Sequence, residues 1–182
     1  QKIESQLEMV NDKAPTATDK VVSVLPYLFP LVDSVSFGQH LLQGADGNPA
    51  VVALAVIYSI YRSVPFSGFL TFFALSFFSG NPSINRLVRF NMQQAIYLDI
   101  ALFVPGLLGA LSFAVSSGLG VQLPPGVGEL GSDAIFVTLL VTLAYASISS
   151  LLGVAPDKVP LISKAATDRM PSIDRSMFDS EG

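Results

Sequence analysis

RLVRFNMQQAIYLDI, residues 86–100, sets two arginines, an asparagine, two glutamines and an aspartate inside a very apolar chain. From Phe90 to Pro156 there is no Lys or Arg, and the only acids are Asp99, Glu129 and Asp133. A stretch that long without a basic residue suits lipid better than water. The polar run then reads as the opening of a membrane helix. At about 100° per residue, Arg86, Arg89, Gln93 and Tyr97 share one stripe, Gln94 and Asn91 lie about 80° and 140° round from Arg86, and Asp99 about 220°. No single partner hides all of these from lipid. The first turns must sit at the interface, against several helices, or beside water. With Arg89 at the membrane surface, Asp99 lies about 15 Å deeper, near the midplane.

The whole chain points the same way. Of 182 residues, 51% are hydrophobic and only 13% charged, and the mean hydropathy is +0.56. The charged share is about half the usual globular value, and the length suits one domain. No cysteine is present, which removes disulfides, iron–sulfur ligation and thiol catalysis, and a single histidine argues against zinc. A net charge of −4 without a basic stripe argues against nucleic acid as a partner. No phosphate loop, Ser–His–acid set or metal motif is present, so no catalytic or metal residue is assigned and no enzyme is expected. The chain opens on Gln1, and residues 1–20 lack a signal peptide's apolar core, so a cleaved targeting peptide upstream is expected.

The pattern predicts an all-α integral membrane protein with four transmembrane helices and a short interfacial or half-inserted helix between the first two. Residues 1–20 read as a polar arm. The membrane domain covers 21–154, with spans at about 21–42, 64–79, 87–115 and 134–154 and the short helix at 50–61. Residues 155–182 read as a polar, flexible or surface-lying tail. Pro26 and Pro30 are expected to kink the first span. With four spans, Lys2, Lys13, Lys20, Arg86, Arg89 and the tail's basic residues fall on one side, and Arg62 alone on the other. That asymmetry obeys the positive-inside rule.

Intramembrane acids are functional candidates by default, which singles out Asp99 and Asp33. Two midplane acids with no nearby intramembrane lysine are expected to be protonated, hydrogen-bonded to polar neighbours, or beside a wet cavity. Arg89 reads either as membrane flanking or as part of a polar path. Asn91 and Gln94 read either as interhelical glue or as path lining. Gly106, Ala110, Ala114 and Gly118 repeat every four residues and make a small face for helix packing. His40, near the end of the first span, is an interfacial residue or a chlorophyll ligand.

The segments LPYLFPLVDS (25–34), YRSVPF (61–66), FFALSFF (72–78) and NPSINRLVRFNMQQAIYLDI (81–100) occur in this order. Together they resemble the Tic-twenty family, the membrane core of the protein-import translocon of the chloroplast inner envelope, with its cyanobacterial relatives. The resemblance covers about residues 21–110 and, more loosely, the last span. Met92 and Gln93 depart from its pattern. It implies four spans with both termini in the stroma of the plastid inner envelope. It implies a part in a preprotein-conducting path, with other membrane subunits, preprotein chains in transit and lipids as partners, and no required cofactor. The alternative reading is a structural accessory subunit of a photosystem with its antennae in the thylakoid membrane. There its Phe-rich faces, and His40, would hold chlorophyll or carotenoid.

Overall fold

The computed structural model describes residues 11, 13–45, 47–120 and 126–170, without the Val127 side chain. Its described residues are helical and turn structure throughout.

The first apolar run does not form one helix. It is a chain of short pieces: α1 (Ala17–Val22), a 3-10 turn (Leu25–Tyr27), α2 (Leu28–Asp33), a second 3-10 turn (Ser34–Ser36) and α3 (Gln39–Gln43). The start lies earlier than expected because Thr16 caps it. Its Oγ1 accepts from Asp19 N–H at 3.1 Å, and Asp19 Oδ2 accepts from Thr16 N–H at 2.8 Å, a reciprocal capping box. Proline explains the breaks. Pro26 and Pro30 have no N–H for the carbonyl four residues back. The chain tightens instead, with Val24 N–H bonding Val21 O and Tyr27 N–H bonding Val24 O. Ser23, Pro26, Tyr27, Phe29, Pro30, Val32 and Ser34 are all buried, so this irregular run is the interior of the molecule.

α4 (Pro49–Ser63) starts at Asn48, whose side chain accepts from Ala50 N–H, with Pro49 at the first helical position. α5 (Ser67–Ser79) follows after a 94° bend. Pro65 holds Val64 extended (ψ 118°), and Phe66 adopts φ +59°. The expected short helix and second span are thus two legs of one bent pair. At about 23 and 20 Å, neither leg crosses a bilayer core of about 30 Å by itself.

α6 (Arg86–Leu119) is the long helix predicted from the polar run, with 34 residues and Pro105 inside it. Asn85 caps its start, and Gly120, at φ +68°, ends it. α7 (Val127–Leu151) begins earlier than the expected last span. The two are long and apolar enough to cross a membrane, and the bent α4–α5 pair makes a third if it crosses as one broken span. The four regular spans expected from the sequence therefore become two or three candidates, because prolines divide the first run and the second.

The tail folds back. Residues 155–161 lead into α8 (Ile162–Asp168), which lies against the start of α6. Two clusters make the core. Tyr27, Ala95, Leu98, Leu102, Leu139, Leu143, Ala146 and Val159 form one, and Phe90, Ala166 and Met170 the other. Gly38 sits where the first run meets α7. A Cβ there would stand 2.5 Å from the Phe136 ring, so only glycine permits the contact.

Candidate functional site

The opening of α6 carries a buried polar network made of three neighbouring sets of hydrogen bonds. Arg89 is 1% exposed, and Asn91 and Gln94 are 0% exposed. Each binds a different neighbour. Arg89 Nε donates to Ser79 O at 2.8 Å, and Gln93 Nε2 donates to Ser79 Oγ at 2.6 Å. A guanidinium on the last carbonyls of α5 satisfies an unbonded acceptor and complements that end of the helix dipole.

Asn91 Nδ2 donates to Ser23 O at 2.7 Å and to Ser150 Oγ at 2.6 Å. The first of these follows from the break in the early run. In a regular helix Ser23 O would accept from Tyr27 N–H, but Tyr27 N–H bonds Val24 O. The carbonyl left over is taken by Asn91. Asn91 Oδ1 is buried without a hydrogen-bond partner among the described residues.

Gln94 is the centre of the network. Its Oε1 accepts from Tyr27 OH at 2.6 Å, and its Nε2 donates to Pro156 O and Ser163 Oγ, both at 2.9 Å. Ser163 Oγ donates to Pro156 O and accepts from Val159 N–H. One amide therefore ties the first run, α6, the chain after α7 and α8 together. At the rim, Arg169 Nε donates to Tyr97 OH at 3.2 Å.

Asp33 and Asp99 lie apart from this network and are half-buried. Their carboxyl groups lie close enough to act on one another where α2 meets α6. Tyr61 OH donates to Asp33 Oδ2 at 3.4 Å, and Arg62 is close enough to act on Asp33 electrostatically. Tyr61 also lines an open groove of about 320 Å³ with Val32, Thr71, Leu75 and Met92. The acid pair thus borders an apolar groove through Tyr61.

The other sequence candidates lie elsewhere. His40 is exposed on α3 and takes no part in the network. Gly106, Ala110, Ala114 and Gly118 are exposed on the outer part of α6. A Cβ at Gly106 would meet Phe37 at 3.7 Å, and one at Gly118 would meet nothing within 4 Å. Among the described residues no group of three or more His, Asp or Glu is placed to hold a metal ion.

Sequence reasoning found the amides but missed their partners: Ser23, Tyr27, Ser79, Ser150, Pro156 and Ser163. Serines in apolar runs are weak signals, because each can bond its own helix, as Ser112 and Ser116 do. The one usable clue was Ser23 and Tyr27, spaced four apart beside Pro26.

No solved structure matches this chain. Residues 3–166 match the family model described as chloroplast import apparatus Tic20-like. The chain is 34% identical over 164 residues to TIC 20-v, chloroplastic, of Arabidopsis thaliana, covering 88% of this chain and 75% of the relative. It is 34% identical over 154 residues to the same plant's TIC 20-II, chloroplastic, covering 82% and 71%. A Tic20 family protein of Synechocystis is 30% identical over 160 residues, covering 87% of this chain and 96% of the relative. The matched residues take in the buried polar contacts from Ser23 to Ser163, and the chain belongs to the Tic20 family, a non-enzymatic membrane component of the chloroplast protein-import apparatus.

Proposed function

We propose that this chain is a subunit of the plastid inner-envelope import complex and contributes one wall of a preprotein-conducting path, beside other membrane subunits. The observation that carries this reading is a division of labour among the intramembrane polar groups. Arg89, Asn91 and Gln94 spend their donors on the protein itself. Asp33 and Asp99 are half-buried beside the Tyr61 groove. The first set fixes the wall, and the second gives it a polar, weakly binding face. A chain in transit needs such a face, because strong binding would stop it.

Both termini lie on the stromal side in this reading. The irregular run through α1–α3 makes the first crossing and the bent α4–α5 pair the second. Their breaks are tolerable at membrane depth because protein groups take up the freed carbonyls, as Asn91 does for Ser23. Single cysteines at positions 13 and 83 should react with an impermeant reagent from the stromal side, and one at 45, in the turn between α3 and α4, from the opposite side. Labelling of 13 and 45 from the same side would refute the topology.

The path is tested with a preprotein stalled during import. Cysteines at 33 and 99 should crosslink to it, and cysteines at 91 and 94 should not. Equal crosslinking at all four positions, or none at 33 and 99, would overturn the assignment. No cofactor is required. Chlorophyll that co-purified and was released by His40→Ala would favour the thylakoid accessory reading instead.

A further inference from the structure

A second cleft, on the basic side of the molecule, belongs to neither the network nor the acid pair. It lies where α6 begins and α7 has just ended, with a volume of about 260 Å³. Lys13, Arg86 and Asp157 line it, with Leu87 and Phe90 as its apolar wall. Gly153 also lines it, at φ +83°. A Cβ on Gly153 would stand 2.8 Å from Lys20 Cε and 3.2 Å from its Nζ, so the Lys20 ammonium rests against that wall. Lys13 and Lys20 form no ion pair among the described residues. Arg86 holds a further interaction of its own. Among the described residues, Lys13 and Lys20 outnumber Asp157, the one acid that lines the cleft, and leave it positive without counting Arg86.

We propose that this cleft binds the anionic headgroup of a membrane lipid, with the phosphate held by Lys13 and Lys20. Three features favour a lipid over a free anion. The cleft sits at the ends of two membrane helices, at headgroup level. Its size suits one headgroup. Its wall is half apolar, which fits glycerol and the first chain carbons better than a hydrated ion. Basic pockets between membrane helices are recurrent sites for such headgroups. The inference holds whether or not the chain lines an import path.

The test is native mass spectrometry of the full chain in mild detergent. One phosphatidylglycerol should be retained in preference to phosphatidylcholine by about tenfold or more. The double variant Lys13→Gln/Lys20→Gln should abolish the preference while circular dichroism and melting temperature stay unchanged. Ala155→Glu, which puts a carboxylate on the cleft, should abolish it too. The pair Lys158→Gln/Lys164→Gln removes the same charge from the same side outside the cleft, and should leave the preference intact. The proposal is overturned if the two lipids bind alike, or if the control pair lowers retention as much as the cleft pair. It is also overturned if inorganic phosphate displaces phosphatidylglycerol at equal concentration, since the site would then be one for a free anion.

Discussion

Gln94 concentrates more of the structure in one side chain than any other residue in the network. Replacing it with leucine keeps the volume and deletes three hydrogen bonds, to Tyr27, Pro156 and Ser163. Each buried group left unpaired costs about 1–3 kcal/mol, and membrane hydrogen bonds lie at the low end. Gln94→Leu should therefore lower stability by about 2–4 kcal/mol, read as a fall in the melting temperature in detergent. Leu161 presents the opposite case. It is 84% exposed, its φ is +62°, and Ile162 N–H bonds Pro160 O across it at 2.7 Å. This is a γ-turn of the rare, strained kind, and nothing covers the side chain. Leu161→Gly should stabilise the protein by about 1 kcal/mol in the same melting assay. The sequence made the amides and acids conspicuous but concealed their roles. The partners of Asn91 and Gln94 lie 59 to 69 positions away, and local spacing says nothing about which of them the fold delivers.

At the scale of elements, regular helices were readable and interrupted ones were not. The polar run and the apolar residues after it placed a span from about residue 87, and α6 starts one residue earlier, capped by Asn85. The first run defeats periodicity. Its prolines break the helix into short pieces and 3-10 turns that rotate successive faces out of register, so buried Tyr27 and Phe29 flank exposed Leu28. α8 was unreadable for another reason. Ser163 and Ala166 are its buried residues, with Met170 buried just past its end, but Lys164, Asp168 and Arg169 lie among them. Without Phe90 to receive it, so small an apolar face looks like solvated chain. The contact between the first run and α7 gives a sharp test. Gly38→Ala pushes a methyl into the Phe136 ring, and overpacking of this kind costs about 1–3 kcal/mol. Phe136→Leu in the same chain should restore part of the loss, and additive effects in a double-mutant cycle would show that the two residues do not meet.

For the whole molecule, the chain after α7 closes the fold rather than trailing from it. Pro156, Val159, Ser163, Ala166 and Met170 are buried against α6 and its neighbours. A chain ended after residue 154 would leave Gln94 and Phe90 without their cover. It should be cleaved near the start of α6 at protease concentrations that leave the full chain intact. Equal resistance would mean that residues 155–170 only decorate a bundle that is stable without them.

The length of α6 reaches beyond the protein into its surroundings. Its 34 residues measure about 51 Å, and about 45 Å remain beyond Arg89. A hydrocarbon core of about 30 Å, even with the helix tilted by about 20°, leaves an excess on the order of 10 Å. That excess is largely uncovered: Leu111, Phe113, Val115 and Leu119 are all exposed. Hydrophobic mismatch therefore acts on this chain continuously. Thin bilayers penalise it, and thick ones, or a neighbouring subunit that sheathes the protruding end, relieve it. Acyl-chain length in a reconstituted membrane becomes a control on its folding and assembly.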